Sequence, residues 1–90
     1  MKKTVITVVG KDSVGIIAKV CTYLSENQIN ILDISQTIVD GFFHMMMVVD
    51  GDQTEKRFTE ISEDLEKIGQ EISCVIHVQR EEIFDMMHRL

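Results

Sequence analysis

The residues of this chain that could do chemistry lie in the turn between a predicted first strand and first helix. An apolar, β-branched run stops at Gly10, crosses a short polar stretch, and resumes with helical spacing after Gly15. Main-chain amides at a helix start lie at the positive end of its dipole, so they can hold a carboxylate or a phosphate. Any ligand is therefore expected at this turn. Its six residues are Gly10, Lys11, Asp12, Ser13, Val14 and Gly15.

Two side chains near this turn could recognise a small zwitterion. Asp12 could accept hydrogen bonds from a ligand ammonium group, and Asn30, just before the second predicted strand, could donate and accept. An amino acid suits this combination. A phosphate loop is excluded, because the chain has neither a Gly-Lys-Ser/Thr after four intervening residues nor a Gly-x-Gly-x-x-Gly.

The same turn also has a purely structural interpretation. Gly10 would supply a positive-φ turn, Asp12 or Ser13 would cap the helix, and Gly15 would allow close packing against the sheet. Caps at such junctions are commoner than ligand sites. The spacing alone therefore favours the structural interpretation.

Other reactive side chains form no catalytic or metal-binding pattern. His44 and His77 lie on predicted strands, with Cys74 near the second, but the chain has no Cys-x-x-Cys or His-x-x-x-His pair. No serine or cysteine is accompanied by a histidine and an acid in a plausible order. We expect a protein that is not an enzyme and that uses no metal or cofactor.

Size and charge narrow the classes of partner. Ninety residues make one domain, and nine basic against fifteen acidic residues give a net charge of −6. This balance argues against nucleic acid and anionic membranes, and no apolar run approaches the roughly 20 residues of a membrane helix. Cys21 and Cys74 sit alone in apolar patterns, so we expect buried thiols in a cytoplasmic protein.

Hydrophobic periodicity and turn residues predict the strands and helices that position the turn. Asp40-Gly41 predicts a two-residue hairpin turn, because both positions accept a positive φ. Asn27 is expected to end the first helix, Asp52 and Glu55 to cap the second, and Gly69 to end it. The predicted strands span 3–9, 30–39, 42–50 and 72–79, and the predicted helices span 13–26 and 54–68.

This order predicts an α+β, ferredoxin-like βαββαβ fold for residues 1–80. Two right-handed crossovers give a four-stranded antiparallel sheet of order 4-1-3-2, with both helices on one face. On the third strand, we expect Met46 in the core and Phe43, Met45 and Met47 on the open sheet face or a contact surface.

That fold leaves two apolar surfaces without a packing partner. The second strand would lie at a sheet edge, without proline or lysine, and such edges tend to pair with another chain. Residues 81–90 predict a C-terminal amphipathic helix. We expect the edge, this helix or both to be buried in a homodimer. The apolar residues concerned are Ile31, Leu32, Ile34 and Ile38 on the strand, and Ile83, Phe84, Met87 and Leu90 in the tail.

The runs 10–18 and 30–34 resemble the ACT domain, especially small stand-alone bacterial ACT-domain proteins and the glycine-cleavage-regulator type. The resemblance covers residues 3–79. It implies binding of an amino acid or another small metabolite at the first strand-helix turn, commonly at a dimer interface. By resemblance, Gly10, Asp12 and Gly15 fall on the ligand loop, and Asn30, Ile31 and Leu32 fall on the segment that faces it.

Two functions from different classes follow from these patterns. The first is a non-enzymatic sensor that binds an amino acid and passes its signal to another protein, since the chain has no output domain of its own. The alternative is a structural or protein-interaction module, which dimerises without a ligand.

Overall fold

The fold alternates strands and helices in the predicted βαββαβ order. The computed structural model describes residues 3–11 and 13–81, and no helix in these two ranges is long and apolar enough to cross a membrane. The predicted C-terminal helix lies outside them except for Glu81. The elements are β1 (Thr4–Gly10), α1 (Ser13–Glu26), β2 (Asn30–Val39), β3 (Phe42–Asp50), α2 (Phe58–Glu71) and β4 (Val75–Arg80).

The four strands form one antiparallel sheet of order β2-β3-β1-β4. This is the predicted order, read from the other edge. Gly10, at the end of β1, lies opposite Phe43, and Thr4, at its start, lies opposite Val49. The turn that follows β1 therefore shares one end of the sheet with the β2–β3 hairpin.

The hairpin turn is the predicted Asp40-Gly41 pair. Both residues have a positive φ, 52° for Asp40 and 80° for Gly41. This backbone matches the right-handed twist of the flanking strands, which is why a two-residue connection is sufficient. The turn fixes the pairing of β2 with β3 and places Ile38 opposite Phe43.

The core lies between the two helices and one face of the sheet. The predicted stripe of α1 is buried at Ile16, Val20 and Leu24, and α2 adds Ile61 and Leu65. Tight packing between these layers leaves little of their apolar surface to water. The buried side chains from the sheet are Ile6, Val8, Phe43, Met45, Met47 and Val49.

The methionine run on β3 faces the opposite way from the prediction. Met45 and Met47 are buried together with Phe43, whereas Met46 lies exposed on the open face. The cause is the register, because Met45 lies opposite Val8, whose side of the sheet the helices cover. The strand alternation was recognised correctly, but its phase was assigned wrongly.

The first helix ends at Glu26, as predicted, but the left-handed residue that follows it lies one position later than expected. The left-handed residue is Gln28, at φ 60°, and not Asn27. The Ile29 N–H donates to the Leu24 carbonyl, which closes the last turn of a Schellman-type end. Asn27 contributes through its side chain, whose amide donates to the Tyr23 carbonyl at 2.8 Å.

The second helix starts later than predicted because local turns use the preceding amides. The Asp52 N–H donates to the Asp50 carboxylate, and the Lys56 N–H donates to the Thr54 hydroxyl. Such side-chain bonds compete with helix formation. The helix begins at Phe58, where the Glu60 carboxylate accepts from the Arg57 N–H at 3.4 Å. The expected cap at Asp52 and Glu55 is therefore wrong by five residues.

The end of α2 also departs from the prediction. Gly69 lies buried inside the helix, where an added Cβ would fall 2.8 Å from the Cys74 carbonyl oxygen. The left-handed residue that ends the helix is Ser73, at φ 55°. Gly69 is therefore required by close packing, and the helix runs on to Glu71.

Strand β2 forms one edge of the sheet and is exposed along its length, apart from half-buried Ile31. The helices cover the other three strands, so the helix-side residues Ile34 and Ile38 remain accessible. A β-bulge places Leu32 as an extra residue between Ile31 and Asp33. The predicted apolar edge is confirmed.

A polar cluster of three side chains links the two helices. The Tyr23 hydroxyl donates to the Asp64 carboxylate at 2.6 Å, and the Lys56 ammonium donates to the same oxygen at 2.7 Å. Lys56 also lies 5.2 Å from the centre of the Tyr23 ring. The bonds from Lys56 and then Tyr23 lower the pKa of the Asp64 carboxyl, while burial and Asp64 raise the pKa of the Tyr23 phenol.

Replacing Asp64→Asn tests this cluster through the pH dependence of folding. Because the pKa of Asp64 is lowered in the folded state, its stabilising effect is present above about pH 4 and is lost as the pH falls through the folded pKa. The variant should therefore be less stable than the parent at pH 7, and the difference should shrink toward pH 2.5. Urea unfolding at both pH values measures this. Glu66→Gln, on an exposed carboxylate of the same helix, is the control; a constant difference for Asp64→Asn would contradict the assignment.

Candidate functional site

The first strand-helix turn lies at the hairpin end of the sheet. Lys11 and Val14 are exposed, and Gly15 is half-buried in the first turn of α1. Asp12 and the side chain of Ser13 lie outside the described residues. Because α1 begins directly after this turn, its first amides lie at the positive end of the helix dipole, as the prediction requires.

Gly10 has a packing role that the sequence interpretation gave to Gly15. It belongs to β1, and among the glycines of the described ranges the positive φ belongs to Gly41. A Cβ on Gly10 would fall 2.5 Å from Cδ1 of Ile16 and 2.7 Å from Cβ of Cys74. The expected positive-φ turn at Gly10 is therefore wrong. Its missing side chain lets α1 and Cys74, the residue before β4, approach β1.

Lys11 is held over an aromatic ring of the hairpin. Its ammonium nitrogen lies 5.5 Å from the centre of the Phe42 ring, within the range of a cation–π contact. This contact holds a positive charge at the hairpin end of the sheet, the end at which the first turn also lies. The ammonium group and the start of α1 both present positive charge.

The predicted second half of the site lies at the other end of the sheet. Asn30 pairs with Asp50, whereas Gly10 pairs with Phe43, seven residues earlier on β3. At about 3.3 Å per residue, the two ends are roughly 23 Å apart. Asn30 is exposed, Ile31 is half-buried against the core, and Leu32 is exposed at the bulge. Within one chain, these residues and the turn cannot contact one small ligand together.

The far end of β2 lies beside the turn instead. Here the strand and β3 enclose an open groove of about 390 Å³, lined by Gln36, Thr37, Ile38 and Phe43. Phe43 is the cross-strand partner of Gly10, so the groove adjoins the first turn. The sequence interpretation named Ile38 only as an edge residue. The Asp40-Gly41 turn was the signal that could have placed it here, because it fixes which residues of β2 reach that end.

The remaining reactive side chains do not converge. His44 pairs with Val9 and His77 pairs with Thr7, so both face the open side of the sheet, with β1 between their strands. In residues 3–11 and 13–81, no three His, Cys, Asp or Glu side chains are grouped to hold a metal ion. Cys74 is a half-buried free thiol, and burial raises its pKa.

The packing role of Gly10 gives a direct test. Gly10→Ala should lower the free energy of unfolding by about 1–3 kcal/mol, because the new methyl group overlaps Ile16 and Cys74. Chemical denaturation measures the loss. The control is Val14→Ala on the exposed start of α1, where a change within about 0.5 kcal/mol is expected. A stable Gly10→Ala variant would contradict the packing role.

Comparisons with known proteins agree with this fold. A family model described as the ACT domain matches residues 2–79. A UPF0237 protein of Bifidobacterium longum is 57% identical over 90 residues, covering 100% of both chains. The solved ACT domain protein from Streptococcus pneumoniae has a TM-score of 0.81 and 43% identity, and the match covers 92% of this chain and 93% of that one.

A more distant structure shares the fold alone. It is assigned to a glycine cleavage system transcriptional repressor, with a TM-score of 0.75 and 24% identity over 87% of this chain and 44% of that chain. The ACT domain is a regulatory, ligand-binding domain. On the match to its family model and to full-length relatives, this chain belongs to the ACT domain family.

Proposed function

We propose that this protein is a non-enzymatic regulatory domain that binds an amino acid at the first strand-helix turn and at a homodimer interface. The observation that carries the proposal is the position of the turn beside the uncovered end of β2. The start of α1, exposed Lys11 and an uncharged groove lie at the same end of the sheet. Membership of a ligand-binding family supports the same conclusion.

The chemistry of the turn suits the two ends of an amino acid. The ligand carboxylate would be held by amides at the start of α1 and by the Lys11 ammonium group, since both present positive charge. Asp12 remains the proposed acceptor for the ligand ammonium group. Because no long side chain of α1 projects at Gly15, a small molecule could approach the first helical turn closely.

A second copy of the chain could reunite the two separated halves of the predicted site. If β2 pairs antiparallel with β2 of another copy, the start of one strand lies next to the end of the other. The Asn30–Leu32 segment of the second copy would then reach the Ile38 end of the first, beside its turn. Exposed apolar residues along an unpaired edge support such pairing.

Ligand binding between two copies would couple occupancy to association. A ligand that contacts both copies stabilises the dimer by its differential affinity, and another protein could recognise that change. The alternative remains a module that dimerises without a ligand. The packing role of Gly10 favours it, because that glycine is explained without any bound molecule.

Thermal unfolding with each of the twenty amino acids distinguishes the two. A ligand at 100 times its Kd should add about 2.7 kcal/mol of stability, which raises Tm by several degrees in a domain of this size. Gly15→Val should abolish the shift, because its side chain obstructs the turn. Ala18→Val, on the exposed side of the same helix, should keep it.

Two results would contradict the sensor function. If no amino acid moves the Tm of the parent protein, the module is the better interpretation. If Gly15→Val responds like the parent, the ligand lies elsewhere. Circular dichroism of both variants confirms that a lost response does not reflect unfolding.

The dimer interface is tested with two lysine substitutions of matched exposure. Ile34, 40% exposed, lies on the helix side of edge strand β2, and Met46, 39% exposed, lies on the open face of β3. Ile34→Lys should weaken association at least tenfold, because it places a charge in the apolar edge. Met46→Lys should leave it intact.

Light scattering at micromolar protein concentration measures the molecular mass of the parent protein and of each variant, which distinguishes monomer from dimer. A monomeric parent protein would refute the homodimer. If Met46→Lys is monomeric while Ile34→Lys is still a dimer, the interface lies on the open face of the sheet and not at its edge.

A further inference from the structure

The groove beside the first turn has an uncharged lining. Its four residues carry an amide, a hydroxyl and two apolar side chains, and none is charged. Ile38 is 71% exposed, the highest value among the large apolar side chains of β2, whereas its cross-strand partner Phe43 is buried. The groove therefore offers apolar surface that the single chain leaves in contact with water.

We infer that the amino acid bound at the turn has an uncharged, apolar side chain, which lies in the groove against Ile38 and Phe43. The inference rests on the proposed function, since it names the class of ligand for the same site. With the carboxylate at the start of α1, the side chain would extend along the adjoining end of β2.

Burial explains why this class is favoured. An apolar side chain that leaves water for such a groove gains free energy roughly in proportion to the apolar surface that it buries. A carboxylate or ammonium group in the same place would lose water without meeting an opposite charge among the lining residues.

The size of the groove is consistent with a large side chain. Its volume of about 390 Å³ lies at the lower end of the range of roughly 300–1,000 Å³ found for small-molecule sites. The groove can therefore accommodate leucine, methionine or phenylalanine. A glycine or serine ligand would leave most of the apolar surface of the groove uncovered.

The first experiment measures binding of L-leucine, L-phenylalanine, L-serine, L-aspartate and L-lysine by calorimetry. Leucine or phenylalanine should bind at least tenfold more tightly than the other three. Tighter binding of serine, aspartate or lysine would overturn the inference and leave the proposed function standing. If none of the five binds, the inference fails, and the twenty-amino-acid screen decides the proposed function separately.

The second experiment changes the specificity through the groove itself. Ile38→Ser should weaken leucine binding at least tenfold, while Val75→Ser, on the opposite edge strand, should not. Gln36→Glu should weaken leucine binding and strengthen lysine binding, because it supplies a negative charge to the groove. Gln70→Glu, on the exposed side of α2, is the matched control.

Light scattering on the same variants separates a ligand contact from an interface contact. The expected result is a dimer in all four variants, with specificity changed only by the two groove substitutions. If Ile38→Ser becomes monomeric and its binding of every amino acid is weakened equally, the groove is filled by the second copy of the chain. The inference is then wrong. An unchanged preference in Gln36→Glu would also overturn it.

Discussion

The structure depends on one constraint: two helices cover three strands of a four-stranded sheet. The covered strands bury the apolar face that forms the core, including Phe43, Met45 and Met47. Edge strand β2 receives no such cover, so Ile34 and Ile38 stay accessible although they lie on the same side of the sheet. The apolar edge, the groove and the proposed dimer are all consequences of this mismatch between helices and strands.

Much of the fold could be predicted from the sequence because its strongest signals are local. The Asp40-Gly41 pair specifies a hairpin turn through backbone conformation alone, and the stripe on α1 specifies its buried face. The start of α2 could not be predicted in the same way. There, Asp50 and Thr54 bind nearby amides, and this competition is decided by three-dimensional geometry. The phase of the methionines likewise depends on register, which one strand alone does not specify.

The geometry around the candidate site agrees with the prediction in part. The first turn follows β1 as predicted, but Asn30 was expected near it although a strand-helix-strand connection returns the chain to the opposite end of the sheet. That separation follows from connectivity and could have been recognised. The role of Gly10 could not, because it depends on Cys74, which is distant in sequence and near in space. Long-range packing of this kind leaves no pattern in a single sequence.

The bulge at Leu32 has a consequence for the whole edge of the sheet. Since side chains alternate along a strand, one extra residue exchanges the two sides for every position that follows. Ile34 and Ile38 share the side of Ile31 only because Leu32 bulges out of the pairing. The same residues in strict alternation from Ile31 onward would turn Asp33, Ser35 and Thr37 toward the helix layer and present a hydrophilic rim in place of a hydrophobic one.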